Sequence, residues 1–250
     1  MNHKTQPSPI RDLFFEAWRE LSNDGENVQF KQDEESIDSA ILCLFCRIST
    51  HLKAIESLYQ NDLALEADVL LRGCLESVFW MGALINQPDT VADMENQFNF
   101  QRQSMAKNLL QADPTAVKLD TDERKRMEMV QAEKKVKRSD LITIFDVARR
   151  AKIASLYLSF SELSNSAAHA SLHSLNRHLV VKEDKSVDHF TVLVVDPNWE
   201  KNFYLGCSIV LITKGFFCRR FNSPGREWEN AMWERLQKMK KVEEPLDAKS

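Results

Sequence analysis

The stretch that decides the fold reads Asp62-Leu-Ala-Leu-Glu-Ala-Asp-Val-Leu-Leu-Arg72-Gly-Cys-Leu-Glu76-Ser-Val-Phe-Trp-Met-Gly82. Apolar residues recur in it every three or four positions, which predicts a helix, and further apolar residues cover much of the opposite side. A helix that is apolar nearly all round belongs in the middle of a bundle. Aspartate is a residue type that often begins helices, so we expect Asp62 to be the N-cap of this one.

The same helical periodicity continues on both sides of the central stretch. The flanking helices are predicted at about residues 11–21, 35–59, 90–110, 121–138, 141–179, 199–220 and 225–241. The period changes near residues 179–195, where two apolar runs flank a charged turn at 182–185, which predicts a β-hairpin. We therefore expect an all-α bundle of about seven to eight helices with one small β-hairpin insertion. It forms a single domain over residues 1–250, with disordered tails at 1–9 and 243–250.

Composition excludes several classes of protein. The 250 residues include only 6 Gly and 7 Pro, too few for a turn-rich sandwich or barrel. The net charge of −4 provides no general attraction to nucleic acid or to an anionic membrane. No apolar run reaches the ~20 residues of a membrane-spanning helix, and the N-terminus lacks the apolar core of a signal peptide. We therefore expect a cytoplasmic protein that does not contact a membrane.

The chain has five cysteines, an odd number. Four of them lie in apolar helical runs, which predicts buried free thiols in a reducing compartment: Cys43, Cys46, Cys74 and Cys207. Cys43 and Cys46 have the spacing of a redox or metal-binding pair, but no βαβ pattern surrounds them. A P-loop, a Gly-rich dinucleotide turn and a Gly-x-Ser-x-Gly elbow are also missing from the sequence. No cofactor is predicted.

A charged pair lies within the otherwise apolar central helix. Arg72 and Glu76 lie four residues apart and therefore on one face, with the apolar residues Val69 and Phe79 one turn away. Burying charges is costly unless they are paired and hydrogen-bonded. The pair is therefore either part of a functional site or a structural clamp between helices, and the sequence leaves both alternatives open.

A second helical stretch, which begins near Leu156, is rich in serine and alanine and contains His169 and His173. Its small residues would let another helix approach closely, and Ser161 or Asn165 lies on roughly the same stripe as His169. Histidine suits proton transfer near neutral pH, and a nearby arginine can stabilise negative charge on a phosphate. The two histidines also have the His-x-x-x-His spacing of metal ligands. Because no third ligand follows them, we predict no metal site.

Two segments carry a resemblance to a known family: Leu-Leu-Arg72-Gly-Cys-Leu-Glu76 and Leu-Tyr157-x-x-Phe-Ser161-x-x-Ser164-x-x-x-x-His169. They resemble a bacterial family of unknown function with an Arg-x-x-x-Glu helix and a Tyr- and Ser-rich helix that ends in His. The resemblance covers about residues 37–180. That family is grouped loosely with the HEPN superfamily, all-α domains of toxin–antitoxin and phage-defence systems. Many HEPN domains are metal-independent ribonucleases that work as dimers.

The resemblance implies a site, with one departure from the HEPN pattern. HEPN ribonucleases carry an Arg a few residues before the His on one helix, whereas Leu163, Ser164 and Asn165 precede His169 at that spacing. Arg72 would therefore come from another helix, with Glu76 orienting it and His169 moving protons. The implied supporting residues are Tyr157, Ser161, Ser164, Asn165 and His173. RNA and a second copy or a protein partner are the implied partners. The alternative is a non-catalytic interaction or dimerisation module in which the same residues are structural.

A basic run lies outside these two helices. It comprises Lys134-Lys135-Val136-Lys137-Arg138, with Arg124-Lys125-Arg126 upstream. Acidic residues interleave with it, so a solvated helix stabilised by pairs four residues apart is the main expectation. A contact surface for RNA is the alternative.

Overall fold

The computed structural model describes residues 8–26, 36–113, 115–168, 176, 178–190, 199–222 and 226–243. These ranges contain nine α-helices and one antiparallel hairpin, which confirms the predicted fold class. The helices are α1 (Pro9–Glu26), α2 (Ser36–Gln60), α3 (Ala64–Asn86), α4 (Thr90–Gln111), α5 (Thr121–Ala132), α6 (Ile144–Arg150), α7 (Tyr157–Leu163), α8 (Trp199–Phe221) and α9 (Arg226–Glu243). Ser8 is buried and α1 begins at Pro9, so the fold extends two residues into the predicted N-terminal tail. Residues 1–7 and 244–250 lie outside the described residues.

Helix α3 lies at the centre of the bundle, as its sequence predicts. It contacts α2, α6, α7 and α8, and 14 of its 23 residues are buried. Val78, Ala83 and Leu84 are fully buried on different sides of the helix. At roughly 1.5–3 kcal/mol for each large apolar side chain, burial of this one helix is a major part of the driving force for folding.

The start of α3 differs from the prediction, because Asp62 is not its N-cap. Leu63 occupies that position and makes no side-chain capping bond. Asp62 has a φ of 60°, and the backbone amides of Asp62 and Leu63 donate to the carbonyls of Tyr59 and Leu58. This is the hydrogen-bond pattern of a Schellman motif, which ends a helix through one left-handed residue. Asp62 therefore terminates α2 instead of starting α3.

The same kind of stop divides the region that was predicted as one helix from 141 to 179. The amides of Lys152 and Ile153 donate to the carbonyls of Arg149 and Ala148, and Lys152 has a φ of 62°. Helix α6 therefore ends there, and α7 begins after a short 3₁₀ turn at Ala154–Leu156. A π-helical turn at Ser164–Ala168 follows α7 directly.

Helices α1, α8 and α9 complete the core around α3. Phe14 of α1 packs against Phe203 of α8 with ring centroids 5.4 Å apart, and Gly206 leaves room for the same Phe14 ring. Met232 and Leu236 of α9 are buried against this layer. None of the described helices combines the length and the apolar character that crossing a bilayer requires.

The cysteines follow the prediction only in part. Cys74 and Cys207 are buried, and so is Cys218, whereas Cys43 and Cys46 are exposed. The prediction of burial is wrong for the latter two because the buried stripe of α2 is formed by other positions: Ile41, Phe45, Ile48, Leu52 and Ile55. Burial raises the pKa of the Cys207 thiol to about 12, which keeps that thiol protonated.

Helices α4 and α5 pack mainly on each other and form an arm, residues 90–140. Only Thr90, Gln103 and Ala106 of α4 are buried, and α5 has no buried residue. Helix α5 begins with a capping box between Asp120 and Glu123, which satisfies two otherwise free backbone amides. The arm therefore adds little to the hydrophobic core.

The end of α5 contradicts the predicted helix over 121–138. Helix α5 ends at Ala132, and the backbone of Glu133 and Lys137 is extended. The reason lies on α4, where the Gln103 amide bonds to the backbone of both Lys134 and Val136. These bonds replace the helical ones that the periodicity predicted.

The predicted β-hairpin is present. Strand β1 (Leu179–Val181) pairs antiparallel with β2 (Val187–Phe190) in the register Leu179–Phe190 and Val180–His189. Lys185, with a φ of 66°, makes the tight turn. Residues 191–195 of the predicted hairpin lie outside the described residues.

Candidate functional site

The candidate site is built around Arg72, which α3 places against the π-helical turn. Its Nε donates to Ser164 Oγ at 2.8 Å, and its Nη1 lies 3.3 Å from Glu76 Oε2. The guanidinium lies over the Phe160 ring, with Cζ 4.7 Å from the ring centroid. These three contacts fix the plane of the guanidinium.

The Arg72–Glu76 pair is only partly buried. The Arg72 side chain is 27% exposed and the Glu76 side chain 36%. Among the described residues, the second terminal nitrogen of Arg72, Nη2, has no hydrogen-bond partner. A guanidinium with one open edge and a fixed plane is suited to binding an oxyanion.

Ser164 owes its position to the change from α-helix to π-helix. Its Oγ donates to the carbonyl of Phe160 at 2.8 Å while accepting the Nε–H of Arg72. A π-helical turn holds one more residue than an α-helical turn and often occurs at functional sites. The Ser- and Ala-rich composition was expected to let another helix approach closely. In the structure, it lets the π-helical turn pack on α3.

Asp68 belongs to the same ridge of α3 and was missed by sequence analysis. It lies one turn before Arg72, is only 2% exposed, and its Oδ1 accepts a hydrogen bond from Asn202 Nδ2 at 2.7 Å. Burying a carboxylate is costly without such bonds, so this contact helps to fix α8 against α3. The spacing of Asp68, Arg72 and Glu76, four residues each, was the signal that could have revealed it.

His51 is a second residue that sequence analysis missed. It lies on α2 so close to Gly73, the neighbour of Arg72, that a Cβ added to Gly73 would stand 3.1 Å from the imidazole Cε1. Its Nδ1 is buried and has no partner among the described residues. Burial lowers the pKa of His51, and the nearby charge of Arg47 lowers it further. Both effects favour the neutral imidazole over the protonated one.

Of the remaining predicted site residues, three lie in the described part of the chain and two lie outside it. Tyr157 stacks on Phe160 at 5.8 Å between ring centroids and so supports the ring beneath Arg72. Ser161 is half-buried and Asn165 is exposed. His169 and His173, the two histidines of this helical stretch, lie outside the described residues.

A cavity of about 260 Å³ lies at the other end of α3 from Arg72. Its lining includes Asn86, Lys152, Phe216, Arg219 and Glu229 and none of the predicted site residues. Within the described ranges, no three His, Cys, Asp or Glu side chains are grouped as metal ligands.

The family comparison matches residues 38–186 to the model of a family of unknown function, DUF5677. The matched part is more than half of the chain. The chain belongs to the DUF5677 family. The comparisons with curated proteins and with solved structures found no match.

The DUF5677 region contains α2 to α7 and reaches to the start of β2, so it includes Arg72, Glu76, His51 and Ser164. Helices α1, α8 and α9 lie outside it. Helix α8 nevertheless packs against α3, and it supplies Asn202, the partner of Asp68. The candidate site is therefore a feature of the DUF5677 region that flanking helices hold in place.

Proposed function

We propose that this DUF5677 protein is a HEPN-like, metal-independent endoribonuclease of a bacterial defence or toxin–antitoxin system. The observation that carries the proposal is the open edge of Arg72. Its guanidinium is fixed by Ser164, Glu76 and Phe160, is partly exposed, and keeps Nη2 without a partner among the described residues. We further propose that the protein is cytoplasmic and works as a homodimer or with a protein partner.

In the proposed reaction Arg72 binds the scissile phosphate. The ribose 2′-oxygen attacks the adjacent phosphorus, forming one P–O bond while the bond to the 5′-oxygen breaks. Arg72 stabilises the negative charge that gathers on the phosphate oxygens, and Glu76 orients Arg72. The products are a 2′,3′-cyclic phosphate and a 5′-hydroxyl group.

Histidine carries the protons in this proposal. His169, the residue that the sequence predicts, accepts the proton of the 2′-hydroxyl, and a proton is returned to the 5′-oxygen. His51 is the second candidate, because it lies beside Gly73, the neighbour of Arg72, and its Nδ1 has no partner among the described residues. Substituting each histidine separately assigns the role.

The test is cleavage of an end-labelled RNA 20-mer in the presence of EDTA. We expect the wild type to give 2′,3′-cyclic phosphate ends and to leave the matching DNA intact, since DNA lacks the attacking hydroxyl. Arg72→Ala should lower the rate by about 100-fold or more. The matched control is Arg149→Ala, which removes an arginine that is 70% exposed and paired with Asp146 on α6. It should cleave at the wild-type rate.

Stability decides how the Arg72 result is read. Because the Arg72–Glu76 pair is partly exposed, its loss together with the Ser164 and Phe160 contacts should cost about 2–4 kcal/mol, less than the roughly 5–15 kcal/mol that stabilises a typical folded protein. The variant should therefore remain folded at 25 °C, as circular dichroism can show. Absence of cleavage by the wild type, dependence on a metal ion, or full activity of Arg72→Ala would overturn the proposal.

A second candidate function is a non-catalytic interaction module. It is favoured by Leu158, which is 69% exposed on α7, and by Phe145, which is 44% exposed and contacts Tyr157. Exposed apolar residues beside a cluster that links two helices suit a protein interface. A wild type that cleaves no RNA but sediments as a dimer would support this module over the enzyme.

A further inference from the structure

The segment after α5 has an unusual conformation for its charge. Residues 134–138, here called the basic strap, carry four cations and no acid: Lys134, Lys135, Lys137 and Arg138. All four are exposed. Among the described residues, none of them forms an ion pair. In a chain of net charge −4, this is a concentrated and unneutralised positive surface.

One side chain of α4 holds the basic strap extended. Gln103 Nε2 donates to the Lys134 carbonyl at 2.9 Å, and Gln103 Oε1 accepts from the Val136 amide at 3.2 Å. Gln103 is only 9% exposed, so water competes little for these bonds. The backbone of the strap is thereby fixed while its charged side chains face solvent.

The acids on either side of the basic strap are already engaged. Glu133 pairs with Arg102 of α4. Asp140 accepts from the Lys137 amide at 3.1 Å and from the Ser139 hydroxyl. Within the described part of the chain, neither carboxylate forms an ion pair with the side chains of the four cations, which leaves those side chains available to an anionic partner.

An exposed aromatic ring lies next to this surface. Phe98 is 63% exposed, and the guanidinium of Arg102 stands 5.8 Å from its ring centroid. Arg102 in turn contacts Glu133, the residue before the basic strap. Cations along an extended segment with an adjacent aromatic ring suit single-stranded nucleic acid, which binds through its phosphates and through stacking of a base.

We infer that the basic strap binds the phosphate backbone of single-stranded RNA and that Phe98 stacks on one of its bases. The part of the strap before the 3₁₀ turn that begins at Arg138, residues 134–137, spans about 10 Å at the ~3.3 Å rise of extended chain, close to three nucleotides at the ~3.4 Å spacing of a stacked strand. The choice of RNA rests on the proposed function. The arm carries the strap away from the core, so binding and cleavage are separately measurable.

The test is fluorescence anisotropy of the full-length protein with a labelled 2′-O-methyl RNA 20-mer, which cannot be cleaved through a 2′-hydroxyl. The strap variant is Lys134→Gln/Lys135→Gln/Lys137→Gln/Arg138→Gln. We expect at least a tenfold loss of affinity at 100 mM salt. We also expect the slope of log affinity against log salt to become shallower by up to about 3, since each phosphate contact on a single strand contributes ~0.7.

The matched control removes the same charge from exposed positions at the other end of the arm: Lys118→Gln/Arg124→Gln/Lys125→Gln/Arg126→Gln. The last three lie on α5 among the acids Asp122, Glu123 and Glu128, so the control should lose less than about threefold. Phe98→Ala should lose about tenfold with an unchanged salt slope. Its control is Met105→Ala, which shortens an exposed apolar side chain on the same helix without removing a ring.

Three results would overturn the inference. These are wild-type affinity in the strap variant, an equal loss in the control, and binding of the strap to phosphatidylserine vesicles in preference to RNA. Cleavage of the all-ribose 20-mer is measured in parallel. Strap-dependent binding without cleavage supports the inference and contradicts the proposed function. If the strap variant still cleaves RNA and binds it with unchanged affinity, the inference is contradicted and the proposed function is supported.

Discussion

At the scale of single residues, the electrostatics of α2 and α3 depend on close contact between helices. His51 fits against α3 because Gly73 has no side chain. The same contact removes water from the imidazole, and the loss of hydration disfavours its charged form. The lack of a side chain at Gly73 of α3 therefore contributes to the lowered pKa of His51 on α2.

This coupling predicts a pH dependence of stability. In the unfolded chain His51 takes up a proton near its ordinary pKa of about 6.5, whereas in the folded protein its pKa is lowered. The unfolded state therefore binds more protons in the window just below pH 6.5, and the free energy of unfolding falls as the pH decreases through it. His51→Gln should lose less stability than the wild type between pH 7.5 and 5.5.

Urea unfolding at several pH values measures this difference. Thr50→Gln, at an exposed neighbouring position of α2, introduces the same residue without removing an imidazole and should follow the wild type. Identical pH profiles for His51→Gln and the wild type would show that His51 titrates alike in both states.

The candidate site was predictable only where its parts are close in sequence. The pairing of Arg72 with Glu76 follows from their spacing on one helix, and the structure shows it. The bond from Arg72 to Ser164 joins residues 92 positions apart. It depends on a π-helical turn that no propensity indicates. The catalytic roles of these residues stay a prediction.

At the scale of elements, helix periodicity predicted most helices, while their ends depended on details that propensity does not contain. Three helices stop at left-handed residues other than glycine: Asp62, Lys152 and Asn222. A fourth, α5, stops where Gln103 captures the following backbone. In each case tertiary or turn geometry overrides a weak helical preference.

Close packing of α3 predicts the effect of adding a single methyl group. A Cβ on Gly82 would stand 2.5 Å from Phe216 and 2.8 Å from the Ala151 Cβ. Gly82→Ala should therefore reduce the free energy of unfolding by about 1–3 kcal/mol through overpacking. Chemical denaturation gives the value.

Gly73→Ala on the same helix is the matched control. Its new methyl group would meet only the half-buried His51 ring at 3.1 Å, and both substitutions gain the same helical preference of Ala over Gly. We expect the control to be clearly less destabilised than Gly82→Ala. Equal losses would contradict the prediction, since they would mean that Phe216 and Ala151 move aside as easily as the His51 ring.

At the scale of the whole molecule, the chain divides into a dense core and a lightly attached arm. Fourteen residues of α3 are buried, but none of α5 is. Helices of about 12 residues are marginal in water without packing, and α5 has that length. The arm should open locally without unfolding the core.

Hydrogen–deuterium exchange tests this division. The amides of α5 should exchange much faster than those of α3 and α8, whose protection should approach the global stability. The Val136 amide should be slower than the other amides of its segment, because it donates to Gln103. Equal protection of α5 and α3 would contradict a weakly attached arm.

Gln103 has one more consequence. Because its amide carries no charge, neither ionic strength nor acidity should weaken the two bonds by which it holds Lys134 and Val136. Salt would then release a bound polyanion while leaving the surface in its binding shape. The strap should therefore bind and release a polyanion repeatedly without any refolding of its backbone.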